Sequence, residues 1–368
     1  MIHTDIIIVG NGIAGLVLSF LLKKKRIDHK VLNRASKKAN IALAETLPPS
    51  AIPLLYNLEL LEIFEQNAIR KTYGYHSSWG DTTITDIDFF HQPQYKNGLK
   101  INKSKLLKHL AVKCNDHIIE YEKIVNFNIS ASDVTVEVLT KEKNQVIQGK
   151  IIIDATGRNR AILKRLKIPI EQYDNLISYS SHIPKIKHPK LIHDVFIESF
   201  KYGWGIVSGL DKNTNMMSIF TNKGNPIQGD LKNFNYWHSI LSETLFLKDF
   251  LGNQSDINVI GGDANSSKAK YLSGKNFIAI GDAALSFDPL SSHGVTTAIY
   301  TAKEASLAIE AYIKNDNNEL LGTYSETLSS IFDQYLMSKN MIYMTEKRWP
   351  NSFFWKELSR LELETLSS

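Results

Sequence analysis

The chain has 368 residues, 43% hydrophobic and 22% charged, with 43 Lys and Arg against 38 Asp and Glu. This composition excludes disordered, collagen-like and membrane-embedded classes, and the length suits two domains sharing an interface. A net charge of +5 spread along the chain argues against nucleic acid, and one cysteine, Cys114, excludes an intramolecular disulfide, a Cys-ligated zinc and a CxxC redox pair. No metal site is expected. The apolar strand Ile6-Ile7-Ile8-Val9 starts close to Met1 with no basic leader before it, and no apolar run reaches spanning length, so a reducing, cytoplasmic setting is expected.

In chain order, residues 5–9 read as a buried parallel strand, 13–25 as a helix with Leu16, Phe20 and Leu21 on one face, and 30–32 as a second strand, a βαβ unit. Lys23-Lys24-Lys25-Arg26 closes that helix, where cations complement its dipole. Residues 54–69 read as helix, 83–90 as an alternating strand, 103–113 as helix, and 133–139 and 146–153 as strands, the last ended by Asp154. Strand-like stretches follow at 176–183, 193–199, 204–210 and 216–221, then a helical stretch at 233–249, a strand at 276–280, a long helix from Gly294 to Lys314, and a helical tail over 319–363.

Consecutive strands after Tyr173 with no helices between them predict an antiparallel sheet inserted into an α/β dinucleotide-binding domain. The expected division is 1–172 for the cofactor domain, with 54–150 partly facing substrate, 173–273 for the substrate sheet, 274–318 for the return to the cofactor domain, and 319–368 for the tail.

Gly10-Asn11-Gly12-Ile13-Ala14-Gly15 follows a buried strand and opens a helix, the context a Rossmann-like GxGxxG requires. The first glycine makes the tight turn, the second lets backbone approach a pyrophosphate, and the third lets helix and strand pack closely. Phosphates then meet free N–H groups at the helix start, around Ile13 and Ala14. The second strand ends in Asn33-Arg34, so a neutral amide stands where a carboxylate usually takes the ribose hydroxyls.

Two more segments choose between dinucleotides. Ile151-Ile152-Ile153-Asp154-Ala155-Thr156-Gly157-Arg158 runs from a strand into an A-T-G turn, and Phe277-Ile278-Ala279-Ile280-Gly281-Asp282-Ala283-Ala284 ends in G-D-A-A. Both resemble the motifs of FAD-dependent aromatic hydroxylases. The resemblance implies FAD, with Asp154, Gly157, Gly281 and Asp282 as cofactor contacts and Asp282 on the ribityl chain. It also places the loop Phe287-Asp288-Pro289-Leu290-Ser291-Ser292-His293-Gly294 against the flavin ring, making Pro289, Ser292, His293 and Gly294 flavin neighbours. His293 reads equally well as an ordinary loop or capping histidine.

Glu45-Thr46-Leu47-Pro48-Pro49-Ser50, Tyr73-Gly74-Tyr75-His76-Ser77-Ser78-Trp79-Gly80 and Gly281 through Gly294 together resemble the tryptophan-halogenase-like and geranylgeranyl-reductase-like branch of flavin monooxygenases. Within it the likeness is to the flavoproteins that mature tryptophylquinone cofactors of amino-acid oxidases. This resemblance implies an FAD-dependent monooxygenase that uses O2 to hydroxylate a tryptophan of a partner precursor oxidase. Electrons would come from NAD(P)H or a separate reductase, and no stable membrane association is expected. It suggests Glu45, His76 and His293 as catalytic groups, His76 as general base, and Trp79 and Trp204 as walls of the substrate pocket.

The sequence also departs from this branch. Tyr202-Gly203-Trp204-Gly205-Ile206-Val207 lacks the first tryptophan and the proline of the halogenase W-x-W-x-I-P, and Lys71 is the nearest match to the lysine halogenases need. Ile101-Asn102-Lys103 replaces an L-D-R, so Lys103 keeps the charge without the bidentate fork. With Asn33, this predicts loosely held FAD. Three alternatives stay open: a halogenase or small-molecule aromatic hydroxylase, a non-catalytic FAD-binding maturation chaperone, and a prenyl-chain reductase.

Overall fold

The computed structural model describes residues 1–35, 45–90, 95–130, 132–186, 193, 195–252, 257–315, 317 and 319–358. One six-stranded sheet runs in the order Ser273–Gly274, Phe277–Ala279, Ile151–Asp154, Ile6–Val9, His29–Arg34, Ile118–Tyr121. Ile6–Val9 pairs in parallel with both neighbours, and all four of its residues are 0% exposed. Burial on both faces explains the unbroken apolar run. Ile6 and Ile8 pack with Leu16 and Leu18 of helix Ile13–Lys24, while Ile7 and Val9 pack with Val136 and Ile147 of an antiparallel meander on the other side. Helix Ile13–Lys24 packs in turn on the long helix Gly294–Asn315. The basic run at its end is spent on the surface, with Lys24 2.6 Å from Glu59 and Lys25 paired to Glu310.

The second sheet has seven strands, in the order Ile260–Asp263, Leu176–Pro184, Thr214–Asn222, Gly203–Gly209, Val195–Phe200, Gly74–Ser78, Thr85–Asp88. Its last two strands come from far upstream, and Gly74–Ser78 lies parallel to Val195–Phe200. One face packs on Trp237 and Leu241 of helix Phe234–Ser242. The other meets the tail through Trp204, Phe220, Phe354 and Trp355.

Four expected elements are divided. The helix read over 54–69 is Ala51–Asn57 and Leu61–Gln66, broken at Glu59 in a left-handed conformation (φ 57°), followed by strand Ala68–Thr72. The helical stretch 233–249 stops at Ser242, because buried Glu198 accepts the N–H groups of Leu245, Phe246 and Leu247 and holds that backbone out of the helix. The strand 146–153 is Asn144–Gly149 and Ile151–Asp154 in different sheets, hinged where Lys150 and Ile151 both donate to the Asp5 carbonyl. The tail read as helical over 319–363 is a helix, Glu319–Met344, with Phe332, Tyr335, Lys339 and Tyr343 buried and Met337, Met341 and Met344 exposed, then turns over 345–352 and a short helical piece over 353–358. Residues 359–363 of the expected tail and residue 194 of the expected strand 193–199 lie outside the described residues. Among the described residues no helix is long and apolar enough to cross a membrane.

A Cβ on Gly15 would stand 2.0 Å from the Gly10 carbonyl oxygen, so helix and strand touch there without room for a methyl. Gly15→Ala is expected to cost about 2 kcal/mol by overpacking. Urea unfolding checks this through a lowered midpoint at unchanged slope; wild-type stability would show that the contact can open freely.

Candidate active site

The first glycine turn, the A-T-G turn and the G-D-A turn converge on one cavity of about 670 Å³. The three glycines of the fingerprint differ in environment. Gly10 has φ 113° and its added Cβ would strike the Ala155 carbonyl at 2.3 Å, Gly15 is jammed against Gly10, and Gly12 has nothing within 4 Å of its Cβ direction. Gly157 and Gly294, also on the cavity wall, likewise face open space. Backbone is thus bared to the cavity at three points, as close approach of a dinucleotide requires.

Four cationic side chains line the cavity, Arg34, Lys103, Lys123 and Arg165, against two carboxylates, Glu45 and Asp282. That excess and the start of helix Ile13–Lys24 suit a pyrophosphate. Lys103 Nζ is 2.8 Å from Glu45 Oε1, and Glu45 beside it raises the Lys103 ammonium above its ordinary range. Burial holds the Asp282 carboxyl above its ordinary range, against the pull of Arg158, whose Nε is 3.8 Å away, and of Lys103. Arg158 is itself fixed by the carbonyls of Asn265 and Phe287, at 2.6 and 2.9 Å, so it links the G-D turn to the following loop.

Asp154 does not reach the cavity. Its Oδ1 accepts from Thr156 N–H at 3.0 Å and its Oδ2 from Ile162 and Leu163 N–H, both at 2.9 Å. It therefore shapes the A-T-G turn and caps the next short helix, Ala161–Arg165, rather than touching a cofactor. Arg160, left-handed at φ 49°, bonds the Ala283 carbonyl and the hydroxyls of Ser267 and Ser286, pinning the G-D-A turn from behind. Burial lowers its guanidinium to about 10.

The other expected site residues separate into three groups. Gly10, Gly12, Ile13, Ala14, Arg34, Glu45, Lys103, Gly157, Gly281, Asp282 and Gly294 lie on the cavity wall; Gly15 and Asn33 do not. Pro289, Ser292 and His293 are exposed on the loop before Gly294, and Ser292 is left-handed at φ 52°. His76, Trp79 and Trp204 are elsewhere.

His76 is 3% exposed and pairs across the sheet with Phe196, so it points to the face opposite Tyr75 and the aromatic cluster. That alternation removes it from the general-base role. His76, Asp86 and His193 form a cluster spaced for a metal ion, but His193 N–H donates to His76 Nε2 at 3.1 Å. A neutral ring that accepts there carries its proton on Nδ1, which faces Asp86 Oδ1 at 3.6 Å and offers no lone pair to a cation. Trp79 and Trp204 do meet, with ring centroids 6.4 Å apart, yet as core: Trp204 is 0% exposed, its N–H bonds Tyr343, and Trp79 N–H bonds the Ile342 carbonyl. Glu45 is engaged by Lys103, which suits charge balance better than base catalysis.

Sequence reasoning missed Tyr121, Lys123 and Arg165 on the wall. Tyr121 ends a parallel strand next to His29–Arg34, and ligands gather beyond the carboxyl ends of such strands. It also missed Lys100, 1% exposed, in a three-stranded sheet of Thr46–Leu47, Gly98–Ile101 and Ala68–Thr72; its ammonium bonds Thr46 Oγ1 at 2.9 Å and the Ser208 hydroxyl, joining that sheet to the seven-stranded one, while Lys71 on the paired strand is exposed.

A family model described as FAD binding domain matches residues 3–338. The chain is 25% identical over 364 residues to the putative FAD-dependent oxidoreductase LodB of Marinomonas mediterranea, covering 96% of each chain. Among solved structures, it superposes on the myxobacterial chondrochloren halogenase CndH with TM-score 0.83 at 15% identity, covering 100% of this chain and 89% of that one. It superposes on the peptidyl tryptophan dihydroxylase QhpG, essential for tryptophylquinone cofactor biogenesis, with TM-score 0.76 at 14% identity, covering 97% and 79%. At such identities these superpositions speak for the fold.

Because Gly12 faces open space, Gly12→Asp is expected to leave stability within about 0.5 kcal/mol of wild type. Its carboxylate would stand in the phosphate path and weaken FAD binding by about 100-fold or more, roughly 3 kcal/mol. Thermal unfolding and flavin absorbance of the purified protein check both halves; unaltered flavin content would remove this cavity as the FAD site.

Proposed function

Since the chain belongs to the FAD-binding-domain family, as an FAD-dependent oxidoreductase of the monooxygenase and halogenase kind, we propose that it hydroxylates a tryptophan side chain of a precursor amino-acid oxidase during tryptophylquinone formation. The observation that carries this reading is the exposed stripe Met337, Met341 and Met344 on the tail helix, whose opposite face holds the loop leading to the cavity. Flexible, apolar methionines at helical spacing suit a protein surface better than a small metabolite. A peptidyl tryptophan dihydroxylase shares this fold, so the fold is compatible with a protein substrate.

When bound and reduced, FAD would supply the electrons that activate O2 for oxygen transfer to an electron-rich indole. The chain's part is to bind and orient. The glycine turn and the start of helix Ile13–Lys24 would take the pyrophosphate, Lys103 and Arg34 would offset its charge, and Asp282 would accept from the ribityl hydroxyls. N–H groups at the start of helix Gly294–Asn315 would favour negative charge beside them. A single dinucleotide fingerprint leaves electrons to come from transiently bound NAD(P)H or from a separate reductase.

A second reading is a halogenase, favoured by Lys100, a buried lysine held by two hydroxyls between the sheets. Co-expression with a precursor oxidase from the same operon separates the two. Wild type is expected to add oxygen to one precursor tryptophan, read by peptide mass, and Gly12→Glu to add none. A product that needs halide and is lost in Lys100→Met would replace hydroxylation by halogenation. Oxygen addition by both proteins would show that flavin is not its cause.

A further inference from the structure

Three side chains form a directed chain between the substrate-side sheet and the loop before Gly294. Trp204 Nε1 donates to Tyr343 Oη at 2.8 Å, and Tyr343 Oη lies 2.6 Å from Asp288 Oδ2. An indole N–H can only donate, so the tyrosine oxygen accepts from Trp204 and aims its own proton at Asp288. The second carboxylate oxygen, Asp288 Oδ1, accepts from Leu290 N–H at 2.8 Å and shapes the turn Pro289–Ser291. Both oxygens therefore face donors, and the ionised carboxylate satisfies both where the protonated acid would set a hydrogen against one of them.

The surroundings oppose that ionisation. Asp288 is 2% exposed, and burial pushes its carboxyl up to about 6 against the pull of Lys339, with Asp174 adding to the rise. Lys339, from the same tail helix as Tyr335 and Tyr343, is already bound to Asp174 at 2.7 Å. Tyr335 Oη accepts the Asp288 N–H at 2.7 Å and contacts Ser266 Oγ at 2.7 Å. Nothing in the cofactor fingerprints demands a costly buried carboxylate here, so its value lies in what it holds.

We propose that Asp288 is a positioning residue for the flavin-side loop, tying it through Tyr343 and Trp204 to the tail helix and the substrate-side sheet, and holding it in the FAD-competent form only when ionised. The loop runs directly into Gly294 and Val295, which line the cavity. The sign of the pH effect sets this role apart from a merely structural one. A carboxyl whose folded value is raised stabilises the fold at low pH, and that contribution is lost as pH rises toward about 6. FAD affinity should move the opposite way over the same window, rising as Asp288 ionises.

The inference rests on FAD binding, which the wild-type titration reads on its own. FAD is titrated into apoprotein between about pH 5 and 8, with thermal unfolding recorded alongside. Wild-type Kd is expected to fall about tenfold across a midpoint near 6. Asp288→Asn and Tyr343→Phe should each flatten that profile and weaken binding at neutral pH by about tenfold, with Asp288→Asn at least as thermostable as wild type at pH 7. Trp355→Phe, which cuts the tail's bond to the Phe200 carbonyl, should lower thermal stability and keep the wild-type profile. Wild-type profiles in both loop-chain variants would overturn the proposal. If both variants fail to fold, the wild-type curve decides, and the absence of an inflection between about pH 5 and 7 overturns it.

Discussion

The cofactor site depends on one constraint, the parallel register in which Val9, Asp154 and Ala279 stand side by side at the ends of three adjacent strands. Strand pairing brings those three carboxyl ends to one level, and the turns that follow them meet over one cavity. Everything near the phosphates is supported from that level. The Gly10–Gly15 contact presses the first helix against the sheet, Asp154 folds the second turn back on itself, and Arg160 reaches from the second turn to the third.

Buried polar groups divide into two kinds. Asp154, Arg160 and Glu198 have their hydrogen bonds met by backbone and hydroxyls, so their burial fixes a backbone path at modest net cost. Asp288, Lys339 and Asp174 are ionisable groups closed inside a single region, two carboxylates to one ammonium. A group of that kind is poor material for stability and good material for a state that depends on conditions.

The tail helix joins the two halves. Its inner face supplies Tyr335, Lys339 and Tyr343 to the polar region and lies near Trp79, Trp204 and Trp355, while its outer face leaves methionines in solvent. The seven-stranded sheet and the loop before Gly294 therefore both meet one element, and a molecule docking on its outer face would bear on both.

By itself the sequence determined the cofactor half. A buried strand running into GxGxxG, and later strands ending in A-T-G and G-D-A-A, are local patterns whose spacing is dictated by backbone approach to a dinucleotide, so they can be read without coordinates. Helix 103–113 was equally legible, and the structure adds Asn102 as its cap, accepting from Lys105 N–H. Only the tertiary structure decided the other half. Whether His76 faces flavin or the far side of a sheet depends on alternation within a strand whose partner, Val195–Phe200, lies more than a hundred residues away. Whether Trp204 lines a pocket or a core depends on a tail helix arriving to accept its N–H. Asp288 and Lys100 carry no local signature at all, because burial and charge pairing arise only when distant segments close around them.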